Sequence, residues 1–233
     1  MARTPWLGKS AASSRLAAAD SVVVIGLGRF GTALALELMA AGTEVLGIDD
    51  DEDIVQSLNG QLTQVVRADS TKEEALRQLG VHEFDRAVVA IGTDIEASIL
   101  TGSLLVNFKV PNVWAKAISE PHGRILDQIG VHHVVYPEHD MGRRVAHLVR
   151  GAMLDYIQFE DDFAMVKTCP PAEIVGRRLG DTGVRNKHDI TVVAVHRRGQ
   201  GFTYATADTV VEPDDMIIVA GRTKAAERFS RRS

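Results

Sequence analysis

The feature that most constrains the fold is an apolar run, VVVIG from Val22, that leads directly into the glycine pattern GLGRFG. In such a pattern the first glycine permits a tight turn from strand to helix, and the second lets backbone N–H groups approach a phosphate. The third glycine allows the helix to pack against the strand, and that helix offers its positive dipole end to an anion. The predicted binding residues of this loop are Gly26, Gly28, Arg29, Phe30 and Gly31.

Acidic residues follow the next two predicted strands. Asp49 closes the second strand 18 positions beyond Gly31, where a carboxylate can accept hydrogen bonds from both ribose hydroxyls. Asp50 and Asp51 add negative charge beside the ribose, which would repel a 2′-phosphate and argues against NADP. Asp69 follows the third strand, where it either reaches the adenine or ribose or caps the next helix.

The ribose acid does not distinguish NAD from ATP or ADP, because all three carry an adenosine with free 2′ and 3′ hydroxyls. Arg29 favours ATP or ADP, since a guanidinium in the loop suits a terminal diphosphate or triphosphate better than the pyrophosphate bridge of NAD. In the alternative interpretation Arg29 lies along the helix and points into solvent. NAD and NADH therefore stay alternative ligands.

From Ser21 the sequence alternates short β-branched runs with helical patterns, which is typical of a parallel α/β sheet. The predicted strands are VVVIG from Val22, EVLGI from Glu44, TQVVRA from Thr63, RAVVAI from Arg86, NVWAKA from Asn112 and HHVVY from His132. Six such strands make a Rossmann-like doubly wound sheet, which we predict for residues 21–137.

The pattern changes after Pro137. Residues 138–158 are predicted as a long linker helix with an apolar stripe along one side. That stripe consists of Met141, Val145, Leu148 and Ala152. Residues 159–233 are predicted as a small, β-rich α+β domain, in which Gly-Gln-Gly and Pro-Asp-Asp turns between apolar runs favour hairpins. Glu138 and Asp140, at the start of the helix, either ligate a hard divalent cation or favour the helix start, and the residues alone favour the second.

Composition narrows the class of protein. The net charge of −5 and the pI near 5.9 give no reason to expect binding to nucleic acid or to an anionic lipid surface. Cys169 is the single cysteine, and no run approaches the roughly 18 apolar residues of a membrane span. Residues 1–20 lack the apolar region of a secretory signal, so we predict a flexible N-terminal extension on a soluble protein of a reducing compartment.

Candidate catalytic residues are not evident in the sequence. A dehydrogenase needs an acid or base beside the nicotinamide, and the eight histidines form no convincing set. Zinc-binding and serine-hydrolase patterns are missing too. We therefore predict a nucleotide sensor rather than an enzyme. The alternatives are an NAD-dependent oxidoreductase and an NADH redox sensor, although the latter would need a basic DNA-binding segment that neither end supplies.

Several segments together resemble a known family. They are VVVIGLGRFGTALALEL, EVLGIDDDEDIV, ADSTKEEALRQLGVHEFDRAVVAIG, the stretch from NVWAKAISEPHG to YPEHDMGRRVA, and VVEPDDMIIVAG. The chain is similar, over about residues 21–229, to the KtrA and TrkA type of regulatory subunit in bacterial potassium-uptake systems, in which an RCK N-domain precedes a TrkA-C domain. The phosphate loop and YPEHDMG carry the most specific part of this resemblance.

The resemblance implies a cytoplasmic homo-oligomer, commonly an octameric ring of RCK dimers, at the inner face of the cell membrane. It also implies that the linker helix, residues 138–158, is a crossover arm exchanged between two protomers, with packing inside one chain as the alternative. The ring would dock on a potassium-translocating subunit of the KtrB or TrkH type and open it with ATP but not with ADP. The resemblance assigns phosphate to the loop glycines, the terminal phosphate to Arg29, and a divalent cation, Mg²⁺ or Ca²⁺, to Glu138. It also suggests cyclic di-AMP as a ligand of the C-terminal domain, where the segment EIVGRRLGDTGVRNKHDITVVAV covers the corresponding region.

Overall fold

A computed structural model of the chain describes residues 20–150, 153–159 and 161–232. These residues divide into two units, of which the first ends at Glu138 and the second begins at His139. Of the predicted N-terminal extension, only Asp20 belongs to the described residues. Within those ranges no helix combines the length and the apolar character that crossing a bilayer requires.

The first unit contains six parallel strands in the order β3-β2-β1-β4-β5-β6. They are β1 (Ser21–Ile25), β2 (Glu44–Asp49), β3 (Gln64–Arg67), β4 (Arg86–Val89), β5 (Asn112–Lys116) and β6 (His133–Val135). The predicted doubly wound sheet is thereby confirmed. Since all six strands run in one direction, their carboxyl ends share one edge, and the strand order reverses between β1 and β4. Ligands of open α/β sheets bind at such a point of reversal.

Helices cover both faces of this sheet. They are α1 (Arg29–Ala40), α2 (Glu52–Ser57), α3 (Glu73–Gln78), α4 (Ile95–Asn107) and α5 (Glu120–Gln128), with a 3₁₀ turn at Val81–Glu83. β1 serves both faces, because Val23 and Ile25 belong to one hydrophobic cluster while Val22 and Val24 belong to the other. Burial on both sides explains why the strand is a continuous apolar run rather than an alternating one.

His122, in the first turn of α5, gives this unit a predicted sensitivity to acid. The side chain is buried, its Nδ1 accepts a hydrogen bond from the Ile118 N–H at 3.4 Å, and burial lowers the pKa of the imidazole. The unfolded chain therefore binds the proton more readily than the folded one, so stability falls as the pH drops below the ordinary value of about 6.5. We expect urea unfolding to show a loss of up to about 1.4 kcal/mol per pH unit there.

A His122→Gln variant provides the comparison for this prediction. Glutamine has no titrating group in this range, so the free energy of unfolding of the variant should lose most of its slope between pH 7 and pH 5. An undiminished slope in the variant would assign the acid sensitivity to another group.

The helix after β6 is shorter than the sequence predicts. α6 spans Pro137–Arg150, whereas the predicted helix covers residues 138–158. The end of that range, Met153–Gln158, forms strand β7, which pairs antiparallel with β8 (Phe163–Thr168). Tyr156 pairs with Val166 of β8 and is buried in the core of the second unit, and such contacts with a neighbouring strand and the core override local helical propensity. Ala152 of the predicted stripe lies outside the described residues.

The second unit is built on an antiparallel sheet with strand order β10-β9-β11-β8-β7. Its remaining elements are β9 (Ile190–Arg197), β10 (Gly201–Tyr204), β11 (Met216–Arg222), α7 (Leu179–Thr182), α8 (Val184–His188) and α9 (Thr223–Ser230). The Gly-Gln-Gly turn joins β9 to β10 as the predicted hairpin. The hairpin predicted at the Pro-Asp-Asp turn is wrong, because β11 pairs with β8 and β9, which places Ile217 and Val219 in the middle of the core.

Candidate functional site

The phosphate loop between β1 and α1 is closed too tightly for side chains at two of its glycines. Gly26 has a φ of +88°, and its N–H donates to the Ile48 carbonyl at 2.8 Å. A Cβ on Gly31 would lie only 1.8 Å from the Gly26 carbonyl oxygen, so the first turn of α1 packs directly on the end of β1. These two glycines therefore fix the shape of the loop.

The middle glycine of the loop faces open space. A Cβ on Gly28 would meet no atom within 4 Å. Gly28 is also the N-cap of α1, where no side chain accepts a hydrogen bond from the first turn, and that turn contains no acidic residue. Its free N–H groups and the positive end of the helix dipole are therefore available to an anion.

Arg29 and Phe30 begin α1 and differ in their surroundings. Arg29 is exposed, and its positive charge contributes to a lowered pKa of Glu138, behind the larger effect of a hydrogen bond from Lys116. Phe30 is half-buried, and the Lys116 ammonium lies 5.7 Å from the centroid of its ring. Both residues thus lie directly after Gly28 in the first turn of α1, and the exposed side chain of Arg29 can reach a ligand or solvent.

Asp49 is held in place by the loop itself. Its Oδ2 accepts a hydrogen bond from the Leu27 N–H at 2.5 Å, and its Oδ1 accepts one from the Asp51 N–H at 2.9 Å. The predicted ribose acid is therefore oriented before any ligand binds. Each carboxylate oxygen keeps a lone pair that can accept from a ribose hydroxyl.

Arg67, at the end of β3, is a charged neighbour that the sequence reasoning missed. Its Nε donates to the Asp50 carbonyl at 2.9 Å, and its Nη1 lies 2.6 Å from Glu52 Oε2. The carboxylate of Asp51 caps α2 by accepting from two backbone N–H groups. The guanidinium of Arg67 therefore stands among the acidic residues that were expected to repel the 2′-phosphate of NADP. The sequence contained one signal for this contact, a basic residue at the end of the strand that pairs with β2.

Asp69 lies beyond the carboxyl end of β3 and is exposed. Its Oδ1 accepts hydrogen bonds from the Thr71 hydroxyl at 2.6 Å and the Thr71 N–H at 2.9 Å, and these bonds lower the pKa of the carboxyl. The interpretation of Asp69 as a helix cap is wrong, because the N-cap of α3 is Lys72. The carboxylate stabilises a local turn beyond the carboxyl end of β3 instead.

Lys116, the last residue of β5, was not predicted as a site residue. Its Nζ lies 2.6 Å from Glu138 Oε1, at the start of α6, and this bond is the main reason that the pKa of Glu138 is lowered. Contacts therefore run from the loop through Phe30 and Lys116 to Glu138. No group of three or more His, Cys, Asp or Glu side chains suited to a metal ion occurs in the described part of the chain.

Comparison with known proteins identifies the family. The TrkA-N domain matches residues 22–137, and the TrkA-C domain matches residues 165–233. Ktr system potassium uptake protein C of Bacillus subtilis (strain 168) is 37% identical over 210 residues, which are 90% of this chain and 95% of that protein. The chain belongs to the Ktr family of potassium uptake proteins. The resemblance noted in the sequence is thereby confirmed.

Further members of the Ktr family match over similar lengths. Ktr system potassium uptake protein A of Bacillus subtilis (strain 168) is 33% identical over 88% of this chain and 93% of its own length. The protein of the same name from Vibrio alginolyticus is 34% identical over 85% of this chain and 90% of its own length. These alignments extend over both units.

Solved structures share the fold of this Ktr family member. The GsuK RCK domain superposes with a TM-score of 0.64 at 18% identity, covering 91% of this chain and 48% of its own. The GsuK channel bound to NAD gives a TM-score of 0.63 at 17% identity, covering 91% of this chain and 39% of its own. This chain thus spans half or less of the length of those GsuK chains.

Proposed function

We propose that this chain is a cytosolic, nucleotide-sensing regulatory subunit of a bacterial potassium uptake system. The observation that carries this proposal is the open loop at Gly28, which adjoins an uncapped helix terminus and the fixed carboxylate of Asp49. Such an arrangement suits a phosphate and a ribose of one nucleotide. The potassium uptake role rests on the relatives of the Ktr system.

ATP and ADP are the proposed ligands. The exposed guanidinium of Arg29 beside the loop supports a site for a terminal phosphate. A positive side chain next to the backbone N–H groups strengthens the binding of a ligand that carries more negative charge. NAD and NADH are the alternative ligands, because the GsuK channel, which shares this fold, has a solved structure with NAD bound. With that ligand the chain would be a redox sensor or, if it had a substrate, an oxidoreductase.

A divalent cation, Mg²⁺ or Ca²⁺, is proposed at Glu138. One carboxylate is too few for a complete site, so the remaining ligands would be phosphate oxygens, water and Glu138 of a second copy. This fits Mg²⁺, which proteins commonly hold through one or two carboxylates together with substrate phosphates. Glu138 is mostly exposed and its lowered pKa keeps the carboxyl ionised, which suits a cation ligand.

The proposed partners are further copies of the chain, in a ring that is commonly octameric, and a membrane-embedded potassium-translocating subunit of the KtrB or TrkH type. Met141 and Val145, on the predicted stripe of α6, are exposed in this chain, whereas Leu148 packs against the core of the second unit. The proposed burial against a second copy is therefore supported by Met141 and Val145 alone. The ring would lie at the inner face of the membrane, with no nucleic acid partner. Cyclic di-AMP remains a proposed ligand of the C-terminal unit.

The proposed mechanism is a shift between two states of the ring. A nucleotide changes such an equilibrium only through its different affinity for the two states, and the difference is repeated at each subunit. The third phosphate of ATP, close to Arg29 and to a cation at Glu138, would supply the difference from ADP.

Titration calorimetry tests the proposal directly. ATP, ADP, NAD and NADH are titrated into the purified protein with and without Mg²⁺, while the oligomer mass is followed in parallel. Binding of ATP and ADP, with a preference for ATP that depends on the cation, is the expected result. Tight binding of NADH without any response to ATP would overturn the assignment and favour a redox function.

An Arg29→Ala variant is expected to lose discrimination between ATP and ADP rather than adenosine binding. A charge-assisted hydrogen bond to phosphate is worth about 1.5–3 kcal/mol, so the ratio of ATP to ADP affinity should fall about tenfold or more. Arg124→Ala, at an exposed position of α5, is the matched control and should keep the ratio of the native protein. Equal weakening of both nucleotides by Arg29→Ala would make Arg29 a general phosphate contact.

A further inference from the structure

Lys116 is an unusual residue for the end of a buried strand. The side chain of this lysine is only 10% exposed, while that of its partner Glu138 is 66% exposed. Space for the ammonium comes from Gly92, just beyond β4, where a Cβ would lie 3.0 Å from Nζ. The ammonium thus sits between the phosphate loop, the end of β4 and the start of α6, within the candidate site.

The Lys116 ammonium depends on Glu138 for its charge balance. Burying an ammonium is costly unless a counter-ion and hydrogen bonds compensate for the lost water. Glu138 Oε1, at 2.6 Å, provides both. Phe30 adds the face of an aromatic ring at 5.7 Å, which is a weaker contribution. The carboxylate proposed to bind a divalent cation is therefore already bound to a cation supplied by its own chain.

A divalent cation and the Lys116 ammonium cannot share Glu138 without repulsion. Two positive charges on one carboxylate lie within a few ångströms of each other, where the Coulomb energy is large in a partly buried site. Binding of the metal ion therefore favours movement of the ammonium away from Glu138. The other anion within its surroundings would be the nucleotide phosphate, since Phe30 of the phosphate loop borders the lysine.

We propose that Lys116 is an internal counter-ion of Glu138 that a divalent cation displaces when nucleotide binds, so that Lys116 sets how strongly nucleotide binding depends on the cation. This inference rests on the proposed function. Without a metal ion, the ammonium neutralises Glu138 and so weakens the repulsion between the Glu138 carboxylate and the nucleotide phosphates. With the metal ion, the ammonium competes against it.

The test is the ratio of ATP affinity with Mg²⁺ to ATP affinity without Mg²⁺, measured by calorimetry on the full chain. Lys116→Met removes the charge but keeps the length of the side chain, so that Glu138 repels phosphate when Mg²⁺ is absent and binds Mg²⁺ without competition when it is present. The ratio should rise about tenfold, which is typical for coupled neighbours.

Glu138→Gln and the double variant complete a cycle. Glu138→Gln should lower the ratio, and adding Lys116→Met to it should produce little further change, because the lysine acts through the carboxylate. An equal rise in both backgrounds would overturn the proposal, since Lys116 would then act on phosphate directly. An unchanged or lower ratio in Lys116→Met alone would overturn it as well.

Folding and the proposed function are controlled separately. Thermal unfolding establishes that each variant is folded, and Lys116→Gln, which keeps a neutral donor for Glu138, replaces Lys116→Met if the latter does not fold and should raise the ratio in the same direction. Failure of the native protein to bind any nucleotide would overturn the proposed function and this inference together. Binding by the native protein with a cycle that shows no coupling would overturn the inference alone.

Discussion

Replacing Gly31 by alanine is expected to destabilise the N-terminal unit by about 3 kcal/mol and to abolish nucleotide binding with it. The added Cβ would lie 1.8 Å from the carbonyl oxygen of Gly26 and 2.9 Å from its carbonyl carbon. Both are backbone atoms at the end of a buried strand, so that no flexible side chain can move aside. Either α1 shifts away from β1, or the loop loses its shape. Urea unfolding and calorimetry measure the two effects.

Gly28→Ala is the matched control for this prediction. The backbone of Gly28 has a φ of −62°, which alanine adopts readily, and its Cβ would meet nothing within 4 Å. The stability of this variant should stay within about 0.5 kcal/mol of the native value. Its methyl group would nevertheless occupy the space through which a phosphate approaches, so nucleotide affinity should fall about tenfold or more.

The two variants separate the contribution of the loop to stability from its contribution to nucleotide binding. If Gly31→Ala kept native stability, the close packing of α1 on β1 would be wrong. If Gly28→Ala bound nucleotide like the native protein, the phosphate would lie elsewhere, and the proposed function would lose the observation that carries it.

The N-terminal sheet could be predicted from sequence because its strands carry their own signal. A strand buried on both faces, such as β1 with Val23 and Val24 on opposite sides, is a continuous apolar run that few other structures explain. β7 gave no comparable signal. Its Met153 and Tyr156 also fit helical spacing, and only pairing with β8, a contact outside the local sequence, decides for a strand.

The residues of the candidate site also differ in whether local sequence or strand pairing determines their position. The loop glycines and Asp49 were predictable because their spacing within one β-α-β unit fixes their relative positions. Lys116 and Arg67 were not, since their roles depend on which strands are neighbours: β5 next to β4 brings Lys116 beside Gly92, and β3 next to β2 brings Arg67 beside Asp50. A lysine at the end of an apolar strand was a signal in NVWAK, but its partner was not evident from the sequence.

Asp215→Asn should destabilise the C-terminal unit by about 1.5–3 kcal/mol, without lowering nucleotide affinity at the phosphate loop. Asp215 is 2% exposed, and its carboxylate accepts hydrogen bonds from Arg197 Nε at 3.0 Å and Nη2 at 2.8 Å. It also accepts one from the Glu212 N–H at 2.8 Å, which closes the turn before β11. Neutralising it leaves Arg197, whose side chain is 33% exposed, with only the exposed Glu212 carboxylate, at 3.0 Å, as a counter-ion. Losing the buried carboxylate of Asp215 should therefore cost more than losing one partner of an exposed pair.

The same pair predicts how the C-terminal unit responds to pH. Hydrogen bonds from Arg197 lower the pKa of Asp215, so the folded state holds this proton less readily than the unfolded chain. The stabilisation is therefore complete above the unfolded pKa of about 3.9 and is lost as the pH falls through the lower folded value. Asp215→Asn should remove this part of the acid dependence.

Asp208→Asn supplies the control, because Asp208 and its partner Arg178 are both exposed. An exposed ion pair contributes at most about 1 kcal/mol, so this variant should unfold close to the native protein in urea. Equal losses from Asp215→Asn and Asp208→Asn would show that the pair of Asp215 with Arg197 contributes no more than a surface contact. A larger loss from Asp215→Asn than from Asp208→Asn, together with native nucleotide affinity, is the expected result, because the contacts of Asp215 lie within the C-terminal unit and the phosphate loop belongs to the other unit.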